Sequence, residues 1–261
     1  MALYKSQALV LRTRPLGEGD KVVTLFAEGV GKVAAVARGA RRVRSRLLGG
    51  TQPFVHGRFL LFRGKSLDTL SQVEIVNPFR RLREDLTAMA AASYTAELVD
   101  LSVEEREPID ELFGLLLGTW HWIASGTQTP LALRAFELRA MSVLGYRPVL
   151  AACAVCGGPL EGGAGFAPAA GGAVCRTCAR EAGAGPISPV ALAAMQRLAE
   201  APFASLSRLH LPPAALAELT RWLRLYVDYR LERAPRSLAF LEAVIPSGQE
   251  SESGGRDLRN G

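Results

Sequence analysis

The 261 residues, 49% of them apolar, suffice for one large or two small packed domains. No stretch reaches about eighteen uninterrupted apolar residues, and Met1 leads through Lys5 and Gln7 into only a short apolar run at Ala8 to Leu11, which points away from a membrane span or a secretory signal. The net charge of +6 is uneven: residues 1–80 carry fourteen Lys or Arg against five Asp or Glu, hence +9, and the other 181 residues carry −3, an asymmetry that suits a polyanionic partner.

The first third reads as five strands, rich in Val, Leu, Phe and Thr and separated by glycine-bearing turns. They are Leu3 to Arg12, Asp20 to Ala27, Lys32 to Arg38, Phe54 to Phe62 and Leu67 to Val76, with a longer basic loop between the third and fourth. Five strands in under eighty residues fit a small barrel such as the OB-fold, and an SH3-like barrel would look much the same. After Asn77-Pro78 the apolar period lengthens, predicting one helix from Arg80 to Leu101 with Leu82, Leu86, Met89, Ala90, Ser93, Tyr94, Glu97, Leu98 and Leu101 along its face, a second from Pro108 to about Ala124 and a third beginning after Pro130 and ending near Gly145. Ser188-Pro189 opens a further helix to Glu200, and Pro212-Pro213 another ending near Glu232. The expected class is therefore α+β. Residues 1–79 form a barrel domain, residues 80–246 a helical domain with a cysteine segment set in at 150–182, and the polar, Gly/Ser-rich residues 247–261 a disordered tail.

All four cysteines lie in that segment, as Cys153-x₂-Cys156, eighteen intervening residues, and Cys175-x₂-Cys178. This spacing lets two tight knuckles aim four sulfurs at one ion, and four thiolates close a tetrahedral shell, so the expected cofactor is a structural Zn²⁺ with no open catalytic position. An iron–sulfur cluster, paired disulfides or free thiols are the competing readings. Clustered cysteines of this kind suit a reducing, cytoplasmic compartment better than a secreted disulfide framework.

The run Arg38-Gly39-Ala40-Arg41-Arg42-Val43-Arg44-Ser45-Arg46 places five arginines in nine residues with no acid among them. Guanidinium forks match phosphate oxygens, which makes Arg38, Arg41, Arg42, Arg44 and Arg46 the candidate DNA-binding residues. Phe26, Phe54, Phe59 and Phe62 are the local aromatics available to stack on bases, and alternation marks Phe54 as the best exposed of them. With no base-reading motif, binding is expected to be sequence-independent and salt-sensitive.

No enzyme signature emerges. His56, His121 and His210 are far apart in sequence, Gly29-Val30-Gly31-Lys32 is followed by Val33 and not by the Ser or Thr of a phosphate-binding loop, and no Gly-x-Ser-x-Gly occurs. The acids Glu104, Glu105, Glu107, Asp110 and Glu111 sit where a helix begins and complement its dipole.

Several motifs together resemble the RecO recombination mediators, over nearly the whole chain up to about Ile245. They are Gly17-Glu18-Gly19-Asp20, then Gly39-Ala40-Arg41-Arg42 with Ser45, Leu47 and Gln52-Pro53-Phe54, then Tyr94 with Glu97-Leu98, Phe136-Glu137-Leu138-Arg139, Leu144-Gly145-Tyr146-Arg147-Pro148, and the two cysteine pairs. The resemblance implies an N-terminal OB-fold, a helical domain and an inserted zinc knuckle. It further implies binding of single- and double-stranded DNA, annealing of complementary strands, and assistance, together with RecR, to RecA in displacing single-stranded-DNA-binding protein, in a cytoplasmic, nucleoid-associated setting. It also implies a seat for the acidic, apolar C-terminal tail of that protein, for which Arg134 is the first candidate and Arg139 the second. Two other readings compete: a zinc-ribbon scaffold contacting RNA or the ribosome, and an enzyme using acidic residues and a metal.

Overall fold

A computed structural model describes residues 2–206, 208–231 and 233–245. The tail expected at residues 247–261 lies outside the described residues. Five strands close a barrel in the order β1-β2-β3-β5-β4: β1 (Leu3–Leu16), β2 (Asp20–Ala27), β3 (Gly31–Ala37), β4 (His56–Phe62) and β5 (Asp68–Asn77). The pairs β1–β2, β2–β3 and β4–β5 are antiparallel. Closure comes from the antiparallel β1–β4 pair and a short parallel β3–β5 contact, Ala35 opposite Asp68 and Val36 opposite Thr69. This is the OB-fold expected from the sequence.

Helices follow. A single helix was expected across residues 80–101, but Asp85 adopts an extended conformation and divides it into α1 (Arg81–Glu84) and α2 (Leu86–Ser102). The reason is capping: the Asp85 carboxylate accepts from the Ala88 amide at 2.8 Å, satisfying one of the open N–H groups at the start of α2. The predicted helix face is buried at Leu82, Ala90, Tyr94 and Leu98 but not at two of its leucines. Leu86 and Leu101 are exposed, whereas the alanines at 88 and 90–92 are buried with Tyr94, Leu98 and Val99, small side chains that allow neighbouring helices close approach.

Helices α3 (Asp110–Ser125) and α4 (Thr129–Val143) complete the first helical layer. The cysteine segment then forms a small sheet, β6 (Ala164–Ala167), β7 (Gly172–Cys175) and β8 (Gly185–Ile187), with the short helix α5 (Arg176–Ala179) between β7 and β8. The last elements are α6 (Pro189–Glu200), α7 (Phe203–Leu206), α8 (Pro213–Leu231) and α9 (Ser237–Val244). The third strand β8 and the helices α7 and α9 were not foreseen. Each has fewer than nine residues, too few to display a period.

The barrel has two apolar faces. Ala8, Val10, Val23, Leu25, Phe59 and Leu61 fill its interior, while Leu9, Leu11, Phe26 and Phe54 point outward into one large core shared with α2 and α3. Phe26 meets Phe113 at 6.1 Å and Phe54 meets Trp120 edge-on at 5.5 Å. The expectation that Phe54 is the best exposed aromatic is therefore corrected. It is 5% exposed, because the backbone turns at Phe54 (φ 67°) before β4 begins, so its side chain escapes the strand alternation and enters the helical core. Phe26 and Phe59 are also buried, and Phe62, at 37%, is the exposed one of the four.

Polar contacts fix the same interface. The linker between α2 and α3 lies across the barrel, where the Arg106 amide donates to the Lys32 carbonyl at 2.9 Å. Gly31 (φ 88°) packs against it so closely that a Cβ would lie 2.3 Å from the Glu107 carbonyl oxygen. Asp110, in the first turn of α3 as expected, also accepts from the Gly29 amide at 2.7 Å, and Asp100 receives Arg12 at 2.6 Å. Asp68 is fully buried at the end of the barrel, accepting from the Gly64 amide at 2.9 Å, from Arg106 at 2.6 Å and from the Tyr4 hydroxyl. Burial, reinforced by that carboxylate, drives the Tyr4 phenol well above its ordinary range. Removing the buried carboxylate leaves the Gly64 amide and the Tyr4 hydroxyl without their acceptor and Arg106 without its counter-charge. Asp68→Ala is expected to cost about 3 kcal/mol of stability, read as a lowered urea midpoint by circular dichroism, whereas an unchanged midpoint would show that the network is not structural.

Candidate DNA-binding loop, thiol cluster and apolar groove

The five candidate arginines lie on the β3–β4 connection, at the end of the barrel that also carries the β1–β2 hairpin tip. The connection is not a loose excursion. Asp20 accepts from the Gly39 amide at 2.7 Å, the Arg41 amide donates to the Gly19 carbonyl at 3.0 Å, and the Arg41 guanidinium reaches the Gly17 carbonyl at 2.9 Å. Successive turns follow, from the Arg42 amide to Gly39 and from the Ser45 amide to Arg42, and Ala40 is fully buried. On this frame Arg38, Arg41, Arg42, Arg44 and Arg46 are all exposed, and among the described residues none of them forms an ion pair.

Lys21 and Arg14 join this surface without having been singled out in the sequence. Lys21 pairs opposite Ala37, at the root of the basic connection, and Arg14 opposite Val22 is exposed. Burial and then the nearby Arg41 cation lower the Lys21 ammonium pKa. The available signal was the short Gly17-Glu18-Gly19 turn, which folds β2 back beside the loop.

The second site is the cysteine segment. The four Sγ atoms of Cys153, Cys156, Cys175 and Cys178 lie within 4.8 Å of one another. Each knuckle is shaped by its backbone: Gly157 (φ 72°) donates to the Cys153 carbonyl at 2.9 Å, and the Cys153 amide donates to Gly158 at 2.8 Å. The β6–β7 hairpin returns the second pair, with Cys175 opposite Ala164. Backbone N–H groups of Cys156 and Cys175 draw the Cys153 thiol down to about 6, favouring thiolate. Shared hydrogen bonds with Cys175 and Cys156 push Cys178 up to about 12, as expected where several sulfurs compete to be anionic at close range. An all-sulfur donor set this compact suits a soft, tetrahedral cation. Among the described residues it is the one group of three or more metal-ligating side chains in binding range.

The third site is a groove of about 400 Å³ between α4, α8 and α9, lined by Leu133, Leu216, Leu241, Arg134, Arg221 and Arg224 among others. Arg134 lies at its wall, 5% exposed, paired with Glu137 at 2.8 Å, and the Tyr94 hydroxyl donates to the same carboxylate at 2.7 Å. Burial raises the Glu137 pKa and the Arg134 cation opposes that rise. Arg139 lies elsewhere: it donates to the carbonyls of Leu198 and Ala201 at the end of α6 and stacks over Phe203 at 4.4 Å. Of the groove cations, Arg224 is held by Asp228 and Glu242, while Arg221 is exposed over the Trp222 ring at 4.6 Å.

The architecture thus defines an OB-barrel protein joined to a helical domain that carries a four-thiol cluster. Comparison with known proteins gives the family. The family profile described as "Recombination protein O N terminal" matches residues 1–79, and "Recombination protein O C terminal" matches residues 83–239. The chain is 45% identical over 249 residues to "DNA repair protein RecO" of Symbiobacterium thermophilum, covering 94% of this chain and 98% of that one. It is 43% identical to the protein of the same name from Pelotomaculum thermopropionicum, with 93% and 94% covered. A third relative, from Roseiflexus sp., is 41% identical, with 93% and 86% covered. The chain belongs to the RecO family of DNA repair proteins.

Proposed function

We propose that this protein binds single- and double-stranded DNA through the arginine-bearing β3–β4 connection, without cutting it, and so brings complementary strands together for annealing. The observation that carries this reading is five exposed guanidinium groups with no acidic partner, held on a hydrogen-bonded frame. Strand meeting is opposed by phosphate repulsion, and a surface that neutralises both backbones removes that barrier. Lys21 and Arg14 extend the same cationic end of the barrel. The test is a fluorescence titration with an oligonucleotide at several salt concentrations. Reversing Arg41, Arg42 and Arg44 to Glu is expected to weaken binding strongly and to flatten the log K against log salt slope by at least about 2, at roughly 0.7 per lost single-strand phosphate contact. A flat salt response of the unaltered protein, or a marked preference for folded RNA, would favour an RNA- or ribosome-binding scaffold instead.

The four cysteines are proposed to hold one structural Zn²⁺. Bound there, the ion supplies crosslinking of the two knuckles and no open coordination position. Elemental analysis is expected to find about one zinc per chain, and Cys153→Ser or Cys175→Ser to lose it and lower the melting temperature while leaving DNA affinity much less altered. Full thermal stability without stoichiometric zinc would overturn the assignment.

Acting with RecR and assisting RecA onto DNA coated by single-stranded-DNA-binding protein, in the cytoplasm and at the nucleoid, completes the proposal. The coating protein's acidic, apolar C-terminal tail is assigned to the α4–α8–α9 groove, which combines apolar walls with arginines. Arg134 fits this assignment as a wall residue, whereas Arg139 is already engaged with the end of α6. Because Arg134→Ala would strand the buried Glu137 carboxylate, Arg221→Glu is the cleaner test. It is expected to reduce binding of a labelled peptide ending in acidic then apolar residues by about tenfold, the worth of a lost charge-assisted contact, and equal binding would remove the groove from the reading.

A further inference from the structure

The arginine connection carries one side chain that phosphate binding does not use. Val43, between Arg42 and Arg44, is 91% exposed, against 59% for Leu86, the next most exposed large apolar residue described. Isolated exposed aliphatic residues are ordinary on protein surfaces. Val43 differs in being held out by structure. Val43 and Arg44 are the two central residues of the turn closed from the Ser45 amide to the Arg42 carbonyl at 2.9 Å, directly after the turn closed from the Arg42 amide to Gly39 at 3.0 Å. Buried Ala40 on one side and Leu47, packed on the barrel core, on the other anchor those turns. The apex therefore cannot fold inward to cover the valine, and a β-branched side chain has few rotamers to lose on contact. Its neighbours Arg41, Arg42 and Arg44 are also exposed, and among the described residues none of them forms an ion pair.

An apolar group surrounded by phosphate-binding cations faces the one apolar part of a nucleic acid, the faces of its bases. We infer that Val43 is a base-contacting wedge: while the flanking arginines hold the backbone, its two methyl groups insert against or between bases of a single strand or an easily unstacked step, opening the stack. Apolar wedges that partly unstack bases are an established mode of contact where cations grip the adjacent backbone. The inference rests on the proposed DNA-binding role of this loop and adds to it a contact that salt does not screen. Opening the stack would loosen pairing of a strand folded back on itself, which must come apart before that strand can anneal to a second one.

The experiment compares the full chain with Val43→Ser and Val43→Ile. Each is titrated at several salt concentrations against a single-stranded oligonucleotide carrying 2-aminopurine, and against an abasic strand of the same length. Val43→Ser is expected to lose about tenfold in affinity for the base-bearing strand at every salt concentration, the worth of roughly two buried methyl groups. The log K against log salt slope stays unchanged, because no phosphate contact is removed. The 2-aminopurine fluorescence rise on binding, a signature of unstacking, is lost with Ser and kept with Ile, and the abasic strand binds all three alike. Equal affinity and equal fluorescence for Val43→Ser would overturn the wedge, as would an equal loss on the abasic strand, which would assign the effect to loop geometry. If the unaltered protein bound no DNA at all, the loop's proposed role would fail first and the wedge with it.

Discussion

Everything in this molecule is referred to one packing constraint: strands β1 and β2 are apolar on both faces. Ala8 and Val10 look into the barrel while Leu9 and Leu11 look out, and Leu25 and Phe26 repeat the division on β2. A barrel with a wet exterior would be free to tumble on its linker. Here the outer face enters the core that contains α2 and α3, so the barrel cannot rotate without exposing Phe26, Phe54 and the rings packed on them. The polar contacts of Asp68, Asp100 and Asp110 then select one orientation out of those the apolar contact would allow. The end of the barrel bearing the β1–β2 tip and the arginine connection stays outside this interface and open to solvent.

Much of this was legible in the sequence, and the failures share a physical origin. The five strands and the longer helices announced themselves because alternation and helical period are local. The cysteine cluster did so because its spacing is a geometric requirement of a four-sulfur site. Phe54 was misplaced because alternation presumes a strand, and a residue with positive φ just ahead of β4 obeys no alternation. Leu86 and Leu101 were assigned to the core of a helix whose buried residues are mostly alanines, since side-chain size is a poor guide where helices pack closely. The ties of Asp68 to Arg106 and of Asp110 to Gly29 join residues 38 and 81 positions apart, which no window along the chain could connect. In the loop, the arginines could be read from composition, whereas the nearness of Lys21 needed the strand register.

The cysteine segment shows how little apolar material a subdomain can have. Its own buried core consists of Cys153, Ala167 and Val174, and many of its turns depend on glycine. Such a segment cannot offset its chain entropy by burial alone. Two features compensate: Phe166 inserts under Trp222 and Tyr226 of α8, and four sulfurs converge where a cation would crosslink both knuckles. The first fastens the segment to the helical domain, and a cation held by the second would keep its interior together. The segment also stands apart from the arginine connection in the contacts that hold it, consistent with a supporting role.

The arginines sort themselves by whether their charge is matched. Arg106 faces buried Asp68, Arg134 faces buried Glu137, and Arg139 spends its donors on the carbonyls that end α6. Each replaces solvent for a group that would otherwise be stranded, and each is consumed by the fold. Arg38, Arg41, Arg42, Arg44 and Arg46 have a different arrangement: the Arg41 guanidinium touches a carbonyl of the hairpin tip, and none of the five meets a carboxylate among the described residues. Holding five like charges together lowers stability by mutual repulsion, and among the described residues no carboxylate pairs with any of them. A fold that nevertheless keeps this cluster exposed on an ordered frame retains its attraction for an external polyanion.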